Sequence, residues 1–101
     1  MILTEDQIKH IVEDYFQDKP VKKIFLFGSY ARGEANENSD VDLLVELDRS
    51  QHIGLSFFGW YQDLQDVFKR KVDVVSANGL SKYIGPYIEA DKKLIYDKSF
   101  G

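Results

Sequence analysis

A small-residue turn and a pair of carboxylates stand a short distance apart in this chain. The turn is Gly28-Ser29-Tyr30-Ala31-Arg32-Gly33, and Asp40-Val41-Asp42 follows after Glu34 to Ser39. Glycine lets a backbone approach a ligand closely, and amide groups that open a helical turn can bind phosphate oxygens. Paired carboxylates bind hard cations such as Mg²⁺. The combination predicts nucleotide chemistry.

The turn is predicted to be the phosphate-binding part of the site. Gly28 gives close approach, Ser29 adds a hydroxyl, and Arg32 can add a bidentate contact to phosphate. No Gly-Lys-Ser/Thr follows and no Gly-x-Gly-x-x-Gly occurs, which excludes a Walker loop and a dinucleotide fingerprint. Taken singly, Gly-Ser after a strand is most often only a turn, and the arginine a surface side chain or a local ion pair.

Asp40 and Asp42 are predicted to lie on one open face of a strand that continues to Leu47. Side chains at i and i+2 point the same way, about 6 to 7 Å apart along the chain. A phosphoryl-transfer site with two metal ions places the ions roughly 3.5 to 4 Å apart, which such a pair can accommodate. A lone Asp-x-Asp is nevertheless usually a solvated strand end.

Asp73 is the predicted third metal ligand. It interrupts the apolar strand Val72-Asp73-Val74-Val75, where an ionised carboxylate is costly to bury without a cation. If this strand pairs beside the second strand, the three aspartates converge. The alternatives are an aspartate at a sheet edge or an ion pair with Arg70 or Lys71.

The remaining pattern predicts the elements that must position these residues. Thr4 and Gln7 form a capping box before a helix whose apolar side chains recur at helical spacing. Val21 to Phe27 is rich in branched and aromatic residues, and its part Ile24-Phe25-Leu26-Phe27 is apolar on both alternating faces, as in a central strand covered on both sides. In the second strand the predicted core face consists of Val41, Leu43, Val45 and Leu47.

The second half of the chain predicts two further helices and a last strand. One helix has a stripe of Phe57, Trp60, Tyr61, Leu64 and Phe68 and is closed by the basic run Lys69-Arg70-Lys71. A loop from Asp48 to Gly54 precedes it. A helix over Leu80 to Ala90, perturbed at Gly85-Pro86, and a strand over Leu94 to Tyr96 complete the pattern.

Composition limits what this site can belong to. The 101 residues, 44% hydrophobic and 30% charged, predict a single soluble domain over 1–101, with no membrane span or signal peptide and a cytoplasmic location. Without cysteine and with only His10 and His52, both expected to be exposed and non-catalytic, any metal must be held by oxygen ligands. The net charge of −4 argues against a broad nucleic-acid surface.

The spacing Gly28-Ser29, ten residues, Asp40-Val41-Asp42, with Asp73 on a later strand, resembles the DNA polymerase beta-like nucleotidyltransferase superfamily. Within it, the short length and the strings Gly-Ser-Tyr-Ala-Arg-Gly and Ser-Asp-Val-Asp-Leu resemble the minimal nucleotidyltransferase antitoxins of HEPN/MNT toxin-antitoxin pairs. The resemblance implies an α+β fold, with a mixed sheet of about three to four strands flanked by helices.

The resemblance also implies roles for the site residues. Gly28 and Ser29 would hold the triphosphate of ATP, Asp40 and Asp42 would bind Mg²⁺, and Asp73 would complete a catalytic site for two ions. Asp73 is also the expected proton acceptor. AMP would pass to a tyrosine of a HEPN ribonuclease toxin, the expected partner in a hetero-oligomer, since one small domain leaves no room to hold the acceptor.

Two alternatives stay open at this point. The domain could be a non-catalytic antitoxin that masks its partner and keeps the nucleotide site as a relic or regulator. It could also, with less support, modify a small molecule or an RNA end.

Overall fold

Four helices surround a four-stranded sheet in the computed structural model, which describes residues 2–48, 56–77 and 85–98. In chain order the elements are α1 (Glu5–Phe16), β1 (Val21–Phe27), α2 (Ser29–Arg32), β2 (Val41–Leu47), α3 (Ser56–Phe68), β3 (Val72–Ser76), α4 (Gly85–Asp91) and β4 (Lys93–Asp97). Within these ranges no helix is long and apolar enough to cross a bilayer.

The sheet is mixed and has the strand order β3-β2-β1-β4. β1 is antiparallel to both β2 and β4, whereas β2 and β3 are parallel. A parallel neighbour requires a crossover, and the chain between β2 and β3 includes α3. This α+β architecture confirms the predicted fold class, with β1 in a central position and β3 beside β2.

The predicted capping box begins α1. The Gln7 amide donates to Thr4 Oγ1 at 3.1 Å, and the Thr4 amide donates to Gln7 Oε1 at 2.8 Å. Two helix-end donors are therefore satisfied by side chains. Ile8, Val12 and Phe16 follow on the buried face of the helix.

The main core lies between one face of the sheet and the helices α1 and α3. The Phe16 and Trp60 rings meet edge to face with centroids 5.7 Å apart, and the Tyr15 hydroxyl donates to Asp63 at 2.7 Å, so the two helices contact each other directly. The buried members from the strands and α3 include Ile24, Leu26, Val41, Leu43, Val45, Trp60, Leu64, Phe68 and Val72. Of the predicted core face of β2, only Leu47 is incompletely buried.

The other face of the sheet is covered more thinly. Phe25 and Phe27 are half-buried, so the expected double cover of β1 is complete on the α1 and α3 side only. α4 lies on this second face, where Ile88 is buried and Lys92 Nζ sits 4.5 Å from the centre of the Phe25 ring. The incomplete cover leaves room for polar side chains on this face.

The basic run after α3 does not extend the helix as a regular last turn. The helix ends at Phe68, and Lys69 adopts a left-handed backbone with φ of 56°. The Arg70 Nε donates to the Phe68 carbonyl at 3.3 Å, which satisfies one acceptor at the helix end. The predicted basic run therefore follows the helix instead of forming its last turn, and the stop is made by Lys69.

α4 is shorter in the described ranges than the predicted helix over Leu80 to Ala90. It begins at Gly85-Pro86, and proline is well tolerated in a first helical turn. Leu80 to Ile84 lie outside the described residues, as do most of the predicted loop from Asp48 to Gly54, His52, and the Phe57 side chain. His10 is exposed, as expected.

Candidate active site

Three neighbouring strands bring the predicted site together in one row. Phe27, the last residue of β1, is opposite Asp42 of β2, and Asp42 is in register with Asp73 of β3. Side chains in register on adjacent strands share a face, with the strands about 4.8 Å apart. The structure therefore places Asp73 directly beside Asp42, at the point where β1 gives way to Gly28.

Gly28 is packed against Asp42. Its backbone, with φ of 76° and ψ of −154°, occupies a region that is essentially restricted to glycine. A Cβ on Gly28 would overlap Asp42 Oδ2 and lie 3.1 Å from Asp42 Cγ. The absence of a side chain is therefore required twice, by the backbone conformation and by the neighbouring carboxylate.

α2 turns the chain immediately after Gly28. The Arg32 amide donates to the Gly28 carbonyl at 3.1 Å, and Gly33 closes the turn in the left-handed region with φ of 72°. Ser29, which is half-buried, is the first residue of this turn, where amide groups lack intrahelical acceptors. The predicted phosphate-binding turn is thus a single helical turn that begins directly after the end of β1.

The connection between α2 and Asp40 is held by its own side chains. The Asn36 amide donates to Ser39 Oγ at 2.8 Å, and the Asn38 amide donates to Asn36 Oδ1 at 2.8 Å. Such local bonds fix a polar turn. They hold the segment that joins the predicted phosphate-binding turn to Asp40.

Tyr30 anchors the turn to the rest of the molecule. Its hydroxyl accepts from Arg70 Nη1 at 2.6 Å and from the Leu3 amide at 3.5 Å. One side chain therefore joins α2 to the segment before α1 and to the approach to β3. Sequence reasoning treated Tyr30 only as part of the motif, because its partners are distant along the chain.

The electrostatics of the site are dominated by Asp42. Burial, then the negative charges of Asp73 and Asp40, raise the pKa of Asp42 to about 6, while the positive charge of Arg32 acts in the opposite direction. Carboxylates this close resist double ionisation. A bound cation would remove that conflict.

Asp40 lies just before β2 and is turned partly toward Lys71, with 3.9 Å between Asp40 Oδ2 and Lys71 Nζ. Across the described ranges, no three acidic or histidine side chains come close enough together to form a ready metal-binding group. The structure thus pairs Asp42 with Asp73 and keeps Asp40 in electrostatic range. Mutual repulsion of three carboxylates is sufficient reason for this spread.

Arg32 is engaged by two carboxylates. Its Nε donates to Glu34 Oε2 at 3.0 Å, and its Nη1 donates to Asp91 Oδ2 at 2.7 Å. The first contact is a local ion pair, which was one of the alternatives that the sequence suggested for Arg32. The second, to the last residue of α4, was missed, because a single aspartate at a helix end gives no signal of a partner 59 positions away.

Comparison with known proteins gives a consistent result. The family described as "Polymerase beta, Nucleotidyltransferase" matches the chain over residues 6–100. A candidate protein adenylyltransferase of Methanocaldococcus jannaschii is 38% identical over 90 residues, covering 87% of this chain and 85% of the relative. Protein adenylyltransferase MntA of Thermococcus cleftensis is 39% identical over 64 residues, covering 63% of this chain and 64% of that protein.

Solved structures share the fold. A toxin-antitoxin crystal structure with AMP-PNP superposes with a TM-score of 0.72 at 23% identity, covering 97% of this chain and 77% of that one. A complex of a tri-AMPylated Shewanella oneidensis HEPN toxin with an MNT antitoxin gives a TM-score of 0.64 at 20% identity, covering 95% and 71%. At these identities the likeness establishes the fold.

Proposed function

The chain belongs to the polymerase beta nucleotidyltransferase family, and from this premise we propose that it is an antitoxin that transfers AMP from ATP to a tyrosine of a HEPN-type toxin. The observation that supports a working site most directly is that Gly28, just after β1, packs against Asp42, which is in register with Asp73. A phosphate turn packed directly against two paired carboxylates is what transfer of a nucleotidyl group requires.

In this proposal the turn holds the triphosphate. Gly28 lets the backbone pass directly against the Asp42 carboxylate, and Ser29 offers its amide and hydroxyl to phosphate oxygens. Arg32 supplies positive charge and further N–H donors. The alternative that Gly28-Ser29 is only a turn loses support, because Gly28 is fixed by its contact with the Asp42 carboxylate.

The donor set fits Mg²⁺. Asp42 and Asp73 present adjacent carboxylates, Asp40 is close enough to raise the pKa of Asp42, and magnesium prefers carboxylate oxygens. We propose that these three residues hold two Mg²⁺ ions together with the phosphates. When bound, the ions supply Lewis acidity and neutralise phosphate charge.

The proposed reaction is an in-line displacement at the α-phosphorus of ATP. The tyrosine oxygen forms a bond to that phosphorus, the bond to the bridging oxygen breaks, and pyrophosphate leaves with the electron pair. Asp73 accepts the proton of the tyrosine hydroxyl. The turn from Gly28 to Arg32 keeps the triphosphate oriented during the displacement.

The proposed partner and nucleotide draw on the relatives. MntA proteins are named protein adenylyltransferases, and the solved complexes pair such a fold with a HEPN toxin or with AMP-PNP. The net charge of −4 is in keeping with a protein acceptor rather than an extended nucleic acid. We therefore propose a hetero-oligomer with a HEPN toxin.

Covalent labelling tests this function. The chain is incubated with MgCl₂, ATP labelled at the α-phosphate, and the HEPN protein encoded beside it. We expect label on the toxin and loss of its ribonuclease activity, with both effects abolished in the variant Asp40→Ala plus Asp42→Ala. Asp66→Ala, an exposed acidic change on α3, is the matched control and should behave like the unchanged protein.

The same experiment separates the alternatives. Toxin neutralisation that survives the double substitution without any label would overturn the enzymatic proposal in favour of masking. Label on an added RNA or aminoglycoside, with none on the toxin, would instead overturn the proposed acceptor.

A further inference from the structure

The Arg32 guanidinium is held from two sides. Its Nε and Nη1 donate to Glu34 and Asp91 respectively, and the Arg32 side chain is 43% exposed. A guanidinium has five N–H donors, so these two bonds leave three for another acceptor. These protein contacts therefore orient the Arg32 guanidinium but leave three of its N–H donors available.

The two carboxylates are not equivalent. Glu34 is two positions along the chain from Arg32 and its side chain is 65% exposed, whereas the Asp91 side chain is 23% exposed. Exposed ion pairs hold flexible side chains weakly. The shorter and better shielded contact, to Asp91, is the one that can fix the guanidinium.

Arg32 contacts α4 through Asp91 and is close enough to Asp42 for its charge to act on that carboxyl group. It is the last residue of the turn that begins after Gly28, and its charge acts on the Asp42 carboxyl group. α4 packs on the same sheet face as Asp42, near Phe25. Asp91, on this helix, can therefore fix the position of the Arg32 guanidinium relative to the proposed phosphate-binding turn.

We propose that Asp91 is a positioning residue for nucleotide binding: it holds Arg32 beside the phosphate turn so that the remaining N–H groups meet the polyphosphate. α4 then forms part of the nucleotide site, although it holds no residue of the sequence motif. The inference rests on the proposed nucleotide site and is independent of which acceptor receives the AMP.

Equilibrium binding of AMP-PNP with MgCl₂ is the first test. We expect Asp91→Ala to weaken binding about 5- to 20-fold, because an unrestrained arginine must be ordered by the ligand. Asp91→Glu, which keeps the charge, should restore binding to within about 3-fold. Glu89→Gln, on the same helix and in an exposed pair with Lys92, is the matched control and should bind normally.

A double-mutant cycle separates positioning from general damage. If Asp91 acts only through Arg32, then Asp91→Ala should have no further effect on AMP-PNP binding once Arg32→Ala is present. Additive losses would overturn the inference. So would normal binding by Asp91→Ala, or a loss that merely follows a lowered Tm.

Steady-state transfer gives a second signature. We expect Asp91→Ala to raise the KM for ATP about 5- to 20-fold and to change kcat less than about 3-fold. An unchanged KM with a reduced kcat would contradict positioning of bound nucleotide. Binding of AMP-PNP without label transfer to the toxin would contradict the proposed transfer but not this inference, whereas no binding by the unchanged protein would overturn the nucleotide site and this inference together.

Discussion

At Gly28 the backbone passes so close to Asp42 that no side chain fits between them. The residue thereby links the two halves of the motif: its conformation begins the proposed phosphate-binding turn, and its missing Cβ leaves space for the carboxylate. The motif spacing thus reflects a physical contact, not only two features that happen to be near each other in sequence.

Gly28→Ala should abolish nucleotidyl transfer, with at least about a 100-fold loss, because the new methyl group displaces the Asp42 carboxylate and strains the turn. Transfer of labelled AMP measures the effect. Gly33→Ala is the matched control, since it also replaces a glycine with positive φ but meets nothing within 4 Å. It should cost about 1 kcal/mol of stability and leave activity within about 3-fold. Equal losses in both variants would show that strain alone is responsible.

The raised pKa of Asp42 also predicts how the free energy of unfolding of the metal-free protein depends on pH. Its pKa of about 6 in the folded state exceeds the value near 3.9 of an unfolded aspartate. The folded protein therefore binds this proton more tightly. The resulting stabilisation is fully present below about pH 3.9 and is lost as pH rises through about 6.

We expect Asp42→Asn to stabilise the metal-free protein near pH 7 by about 1 kcal/mol, because solvent screens part of the unfavourable charge on this half-buried group. Below about pH 4 that advantage should vanish. Urea unfolding in EDTA across this range measures the difference, with Asp66→Asn as the exposed control. Parallel stability curves for the variant and the unchanged protein would contradict the assigned pKa.

Among the elements, the end of α3 is the clearest local departure from the predicted pattern. A left-handed position after a helix is usually glycine, yet Lys69 occupies it with φ of 56°. The strain is accepted because the chain must turn at once into β3, and Arg70 donates to the helix end. This turn helps to position the site, because β3 begins three residues after Lys69 and contains Asp73.

Lys69→Gly should stabilise the protein by about 0.5 kcal/mol, since relief of left-handed strain outweighs the added freedom of the unfolded chain. Urea unfolding measures the change. Gln62→Gly, at an exposed position inside the same helix, should instead destabilise by about 1 kcal/mol. A loss of stability in Lys69→Gly would mean that the lysine side chain makes a contribution larger than the strain.

For the whole molecule, the separation of its two sheet faces is the feature with functional consequences. One face is sealed by α1 and α3 around a continuous core, while the other holds Asp42, Asp73 and the thinner cover of α4. The apolar face supplies stability, so the second face can accommodate carboxylates that repel each other. Binding of magnesium and nucleotide should therefore stabilise the folded state as a whole.

AMP-PNP with MgCl₂, at about 100 times its dissociation constant, should add about 2.7 kcal/mol to the free energy of unfolding and raise Tm by roughly 10 °C or more. Thermal unfolding with and without ligand measures the shift. Asp42→Asn plus Asp73→Asn should remove it, whereas Asp66→Asn should retain it. An equal shift in the double variant would place ligand binding elsewhere on the protein.

The sequence by itself determined the elements and the motif. The capping box at Thr4, the helical recurrence of Ile8, Val12 and Phe16, and the alternation through Val41 and Leu43 all follow from local sterics and periodicity. Gly28 and the aspartate pair were readable for the same reason, since their relation is fixed within a short stretch of chain. The fold class followed from the family resemblance, and the strand pairing confirmed it.

The tertiary structure alone decided which distant residues meet. Asp73 became the neighbour of Asp42 only through the parallel pairing of β2 and β3. Asp91 met Arg32 only because α4 packs on that sheet face, and Tyr30 met Arg70 across the molecule. Periodicity records which face of an element is apolar, but contacts between elements depend on how those faces pack together, and no local pattern encodes that choice.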